Sequence, residues 1–488
     1  MSQRGGRGSP RNRRGLRGSG RTSKVPAERS EAGESVEAKL AAYAADVDGA
    51  AIGPEAEAAF DRLALDFVSV VIAGLRDPAC VRAANALGGL SDFGANASAS
   101  AFALGVCAHW FDWDDTDDVS HVHGGAVIFP TLLAASASQA KPARVPGRQF
   151  VAATVAGYDI ACSIGGHLKD HGHRGWMPTG SGGTIGAAAA AARLAGARAE
   201  QVLSAMGIAA ANAALGRQAL ADRKNLKGAL AGIAAKTATD ALALSRSGIE
   251  GSVRYLSGAY GLCAMQAGDV PMDASRLGRE FLIERTSVKP YPCCRSAHAV
   301  IDGVLEFRES SQARIAEVAS IEVGAPPGVF ERCGAAFRIG DNARLSAQFS
   351  IPYTAALALR KGRVGLDDFT DREVTRNHRD WHALIDSVRV GCDPKWSADV
   401  LAPVHLRFRS ADRVIDEREV SALKGDPKSP LSAAEQEAKL RDAAGTAFDE
   451  TRIAEIAALA RNLRRDGPGE LLRWLGPQLA ARAAGSAP

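Results

Sequence analysis

Five aspartates and three histidines fall within fifteen positions, His109 to His123, in the run HWFDWDDTDDVSHVH. Asp112, Asp114, Asp115, Asp117 and Asp118 lie among aromatic and hydroxyl residues, together with His109, His121 and His123. A solvated acidic loop does not normally carry Trp110, Phe111 and Trp113 in front and Ala126-Val127-Ile128-Phe129 behind. Burying a carboxylate is costly unless it is paired, hydrogen-bonded or protonated. Carboxylates and imidazoles in apolar company therefore suggest shifted pKa values and proton transfer. The plainer alternative is an acidic capping loop between two core helices.

Three further segments carry residues able to do chemistry. In SVKPYPCCRSAH (287–298), Pro290 and Pro292 stiffen an extended backbone that presents Lys289, Arg295 and His298. Arginine forks onto carboxylates, and a desolvated lysine can act as a base; a domain-boundary loop with surface cations is the alternative. In HGHRGWMPTGSGGTIG (171–186), Thr179 to Gly183 form a glycine-rich turn before an alanine helix, where backbone N–H groups favour anions. Capping and tight packing explain that turn equally well, and no Gly-Lys-Ser/Thr follows to make a phosphate loop. In DRKNLKGALAGIAAK (222–236), Lys224 and Lys227 precede a small-residue helix, by default a solvated face.

The elements that must position these residues divide in two. From 36 to 283 the chain reads as helices: Phe60, Leu63, Phe67, Val70 and Val71 recur at helical spacing after Pro54, and later segments are alanine-rich. From 284 to 431 period-two alternation enters, at 320–323, at Asp386–Val390, at Val404–Arg409 and in a return strand, Val414–Val420, with a helix near 350–358. Ser432 and Glu435, after Leu431, form a capping box that restarts helices through 482. The fold class expected is α+β: a large helical domain from both chain ends, with an inserted α+β domain holding an antiparallel or mixed sheet.

The 488 residues exceed one compact core. The net charge of +4 belongs to the N-terminal tail, expected over 1–35 as a disordered Arg/Gly-rich extension. Residues 1–30 hold nine of the 59 basic and one of the 55 acidic residues, which leaves 50 against 54, a body of −4. Apart from weak, sequence-independent contact through that tail, no nucleic-acid partner is expected. No apolar run approaches a membrane span, and no secretory signal is evident. Eight cysteines without a CxxC pair suit buried free thiols, a cytoplasmic location, and neither cluster nor structural metal.

Together, DWDDTDDVSHVHGGAV (112–127), RGWMPTGSGGTIGAAAAAARL (174–194), KGALAGIAA (227–235) and KPYPCCRSAH (289–298) resemble the MmgE/PrpD family over about residues 36–480. The resemblance implies a homodimer and a lyase or isomerase without metal or cofactor, acting on a small polycarboxylate. Carried over by position, it implies an active site of Asp112, Thr116, His123, Lys227 and Lys289, with His298 nearby; His123, Asp112, Lys289 and Lys227 are expected to be catalytic, and Thr116 and His298, with Arg295 and the Thr179-Gly180 turn from the residue types themselves, to bind substrate. Two positions depart from the family pattern. Gly124 replaces a proline, and Met177 stands where relatives place a histidine, with His173 one turn before it. Cys333 to Phe337 also lack a tyrosine that some members contribute.

The leading expectation is a dehydratase or decarboxylase of a citrate-like acid, with an epimerase or isomerase as a close variant. A dimeric binding protein that has lost catalysis is a third reading, supported by Met177. A remote fourth comes from Asp114-Asp115-Thr116-Asp117-Asp118 and Asp367-Asp368-Phe369-Thr370-Asp371, two DDxxD motifs like the magnesium clamps of isoprenyl diphosphate enzymes.

Overall fold

The computed structural model describes residues 35–138, 145–172 and 175–485; the basic N-terminal stretch and His173 lie outside the described residues. Helices begin where side chains supply acceptors for unpaired backbone N–H groups. Ser35 accepts from the Ala38 N–H at 3.1 Å, Asp77 from Ala79 at 2.7 Å, and Asn96 from Ala99 at 3.1 Å. Pro54 opens the 23-residue helix Pro54–Arg76, whose second half is almost wholly buried. The expected box at Ser432 and Glu435 forms and starts the helix Ala433–Ala444.

The chain builds two hydrophobic cores. The first runs from Leu40 to Val288 and is completed by Leu366 and by Leu431 to Leu479, so both chain ends share it. Ala433–Ala444 and Glu450–Asp466 pack on Pro54–Arg76. The second core runs from Tyr291 to Leu423. The α+β class holds, with the cores dividing between Val288 and Tyr291. No described helix is long and apolar enough to cross a membrane.

In the helical domain, small residues let backbones touch. A Cβ on Gly105 would lie 2.7 Å from the Gly232 Cα, so the helices Ala97–His109 and Leu226–Arg246 meet at a point that tolerates no side chain. That approach sets the His109 end of one helix beside the Lys227 start of the other.

The α+β domain holds β3 (Ser320–Ala325), β4 (Val388–Cys392), β5 (Val404–Arg409) and β6 (Val414–Val420), in the order β4-β3-β5-β6. β3 and β4 are parallel and the other pairs antiparallel, so the sheet is mixed. Ile321, Val323, Val404, Leu406 and Phe408 face the core, where Phe408 stacks on Phe307 of the helix His298–Ser310 at 4.0 Å. The other face carries ion pairs such as Arg407–Glu417 at 2.7 Å. The strand expected from Asp386 starts at Val388, because the helical segment that Thr370 opens, kinked at Trp381, runs through Ser387. A short ladder of β1 (Thr116–Asp117) with β2 (Thr286–Ser287) pairs Thr116 with Ser287 and brings the aspartate run to the Lys289 segment.

Candidate active site

The site grows from the end of the helix Ala97–His109. Asp112 takes a left-handed backbone (φ 54°), a conformation aspartate tolerates better than most residues, and this turns the chain sharply. Its buried carboxylate accepts from Lys227, in the first turn of the adjoining helix, and lies 3.5 Å from Lys289. Lys289 also donates to the Asp112 carbonyl at 2.7 Å. All three side chains are buried. Burial favours the neutral acid, but the two ammonium groups outweigh it and hold Asp112 well below the usual carboxylate range. Burial would lower the Lys289 pKa, yet Asp112 and Asp114 raise it on balance. Lys227 is thus buried where a solvated face was the default; only exposed Lys224, paired with Asp341 at 2.8 Å, behaves that way.

Asp114 organises two imidazoles. It lies 2.7 Å from His109 Nδ1 and 3.2 Å from His123 Nδ1, and the two rings pack edge-on at 4.8 Å. His123 Nδ1 also lies 2.9 Å from the Asp115 carbonyl, which leaves Nε2 as its reactive nitrogen. The wholly buried His109 is pushed down to about 4 by burial, against the pull of Asp114, so it is neutral at pH 7. Asp114 resists the upward push of burial because both histidines lower it.

The remaining aspartates hold the scaffold. Asp115 accepts from Gly125 N–H at 2.9 Å and Tyr158 at 2.8 Å. Asp117 takes a bidentate Arg285 at 2.9 and 2.8 Å. Asp118 accepts from Ser287 at 2.8 Å and Arg295 at 3.1 Å. Three groups tie distant segments together. Lys439 pairs with Asp66 and donates to the carbonyls of Trp113 at 2.8 Å and Lys289 at 3.0 Å. From the second domain, Arg344 donates to the Trp110 carbonyl, and Gln348 to those of Phe111 and Pro292.

These elements enclose a cavity of about 140 Å³ between the two cores. Asp112, Thr116, His123, Lys227, Lys289 and Arg295 line it together. Thr179, Gly180 and His298 stand behind the wall and do not face it. The Thr179 hydroxyl accepts from the His123 N–H at 3.0 Å, and Gly180 packs on Leu215. The expected anion site there is closed, because the N–H groups of Gly180 and Ser181 already donate to the Met177 carbonyl at 2.8 and 3.1 Å. His298 is wholly buried, 3.3 Å from Arg295 and 3.2 Å from the Cys293 carbonyl, and burial beside Arg295 and Lys289 holds it neutral.

The cavity also takes residues that no motif marked. Lys169, Arg217 and Arg332 join Lys227, Lys289 and Arg295, so six cations face two aspartates, Asp112 and Asp118, among the described lining residues. His121 lines it as well. Trp176, Met177, Leu220, Phe349 and Leu401 form an apolar wall. His121 belongs to the first stretch, and Trp176 and Met177 to 171–186, and were visible there; Lys169, Arg217 and Arg332 come from separate elements with no shared spacing. Cys294 is also in the wall, and the eight cysteines are free, seven of them buried and Cys392 exposed.

Donor atoms of His109, Asp112, Asp114 and His123 lie within 4.8 Å of one another, a spacing a metal ion could bridge. Lys227 and Lys289 already supply positive charge at Asp112, which opposes a further cation there. The two DDxxD motifs do not form a magnesium clamp. Asp367 pairs with Arg76, and Asp368 with Arg363 at 3.2 Å, beside a different cavity from that of Asp118.

The MmgE/PrpD N-terminal domain matches residues 38–274 and the MmgE/PrpD C-terminal domain residues 291–465. A cis-aconitate decarboxylase-like protein, oryM, of Aspergillus oryzae is 26% identical over 385 residues, covering 73% of this chain and 78% of the relative. The cis-aconitate decarboxylase of Mus musculus is 26% identical over 307 residues, covering 59% of this chain and 60% of the relative. The second match begins at Tyr291, where the second core begins, and the chain belongs to the MmgE/PrpD family.

Proposed function

We propose that this chain is a lyase that moves a proton on a small citrate-like polycarboxylate, by dehydration or decarboxylation, without a metal. One observation carries the reading: six cations, the buried Lys227 and Lys289 among them, face the two carboxylates of Asp112 and Asp118 in the cleft that His123 lines, leaving net positive charge among its described lining residues. Removing a proton next to a carboxylate builds negative charge on it, and fixed cations aimed at it stabilise that charge. Lys227, Lys289 and Arg295 hold the substrate's carboxylates, Thr116 orients it, and His123, aligned by Asp114, carries the proton. The names of the two relatives support a carboxylate substrate. Thr179 and His298 act in this reading by positioning His123 and Arg295.

Citrate, 2-methylcitrate, cis-aconitate and iminodisuccinate, each followed by proton NMR in D₂O with the full chain, test it. Elimination, loss of CO₂ or C–H exchange is expected with at least one. His123→Asn should then lower the rate at least about a hundredfold. Silence across the panel overturns the proposal. The expected homodimer belongs to the same reading and is checked by light scattering.

A further inference from the structure

His121 has no role in the scheme above, yet it lines the same cleft. Its backbone is held at φ 59°, and in this half-buried side chain Nε2 has no hydrogen-bond partner and almost no accessible surface, so a turn of the ring is what brings it to a ligand in the cleft. Such an atom is costly to leave unmatched unless a ligand completes it. A second atom of this kind, the Arg332 Nη2, belongs to the same cleft wall, while Arg332 Nε donates to Ser296 at 2.7 Å. The other charged groups near the reacting space are engaged: Lys227 and Lys289 by Asp112, Asp118 by Arg295 and Ser287.

Position supports the same role. The His121-Val122-His123 run lies along Met177-Pro178-Thr179: His123 N–H donates to the Thr179 hydroxyl, and Val122 and Pro178 both pack at Gly165. Met177 cannot transfer a proton. Burial, with Arg332, Lys169 and Arg217 around it, lowers the His121 pKa to about 3, so it is a neutral imidazole at pH 7. With those cations unopposed it is a weak base, and an anion bound beside them offsets their charge and raises its basicity.

We propose that His121 is the second proton-transfer group of this cleft, acting as base on a polycarboxylate whose far carboxylate is taken by Arg332 and Arg217. The inference rests on the lyase reading. His121 removes the proton from a carbon next to a carboxylate and becomes imidazolium. The C–H electron pair remains on the substrate as an aci-carboxylate, balanced by Lys227 and Lys289. Return of a proton or solvent deuteron to that carbon completes exchange. In elimination the pair instead forms the C=C bond, while hydroxide leaves with a proton from His123 imidazolium as water.

The test compares the full-length wild type with His121→Asn and His121→Gln; asparagine is chosen because it tolerates a left-handed backbone. Deuterium exchange and kcat are read on the substrate turned over by the wild type, and tricarballylate, which cannot eliminate, reports binding by calorimetry. Loss of kcat and exchange by at least about a hundredfold is expected, with the tricarballylate Kd within about threefold. Exchange and kcat within about threefold of wild type in either folded variant overturn the inference and leave the lyase reading standing. A loss confined to the tricarballylate Kd also overturns it, by making His121 a binding group. A wild type silent on every polycarboxylate overturns the lyase reading and this inference together.

Discussion

Lys227 donates to the carboxylate of Asp112, 115 positions earlier in the chain, and both side chains are buried. Removing one partner of a buried pair leaves an uncompensated charge, which costs more than the pair itself contributes. Asp112→Asn preserves volume but strands two ammonium groups. It should lose about 3–5 kcal/mol in urea unfolding and most of the turnover. A loss below about 1 kcal/mol would mean that Lys227 and Lys289 find other partners.

Stability should fall between neutral and mildly acidic pH because of His109. Its folded pKa is lowered to about 4, whereas an unfolded histidine titrates near ~6.5. The unfolded chain therefore binds a proton first. The stabilisation is full above about pH 6.5 and is lost as pH falls toward the folded value, amounting to about 2 kcal/mol lost at pH 5. His121 and His298, also lowered by burial, add loss in the same direction, so comparing urea midpoints at pH 7 and pH 5 between wild type and His109→Gln isolates this part.

Turnover should survive EDTA. The charge that develops on the substrate meets lysine ammonium groups already fixed at Asp112. Rates before and after dialysis against chelator, followed by Mg²⁺ or Zn²⁺ addition, check the point. Loss that only a metal restores would assign His109, Asp112, Asp114 and His123 to that metal instead.

Lys439 should matter to activity although it lies outside the cleft wall. It ties the carbonyls of Trp113 and Lys289 together while neutralising Asp66. Lys439→Met should cost about 3–5 kcal/mol, because burial already raises the Asp66 pKa and without its partner the carboxyl must take up a proton or stay buried unpaired. Adding Asp66→Asn should recover part of the stability but not the kcat, since the backbone tie is still missing. Full recovery of kcat in the double variant would reduce Lys439 to a charge partner.

Much of the fold was legible in the chain. The alternation at Val404–Arg409 and Val414–Val420 became β5 and β6, and Ser432 with Glu435 became a helix start. The same short-range rules misplaced the start of β4, where a helical segment kinked at Trp381 continues through Ser387. The aspartate–histidine run declared itself by its apolar flanks. The burial of Lys227 did not, because it depends on the contact of Gly105 with Gly232 between helices far apart in the chain.

Residue types and local spacing determined which side chains could do acid–base chemistry and which segments were helix or strand. Only the packed molecule decided which of them meet. It set Thr179 and His298 behind the wall, consumed the Gly180 N–H at the Met177 carbonyl, and added Lys169, Arg217 and Arg332 from unrelated elements. The physical reason is one of range. Periodicity, caps and turns act over a few residues, whereas the charge of a cleft depends on groups hundreds of positions apart, which the chain order does not relate.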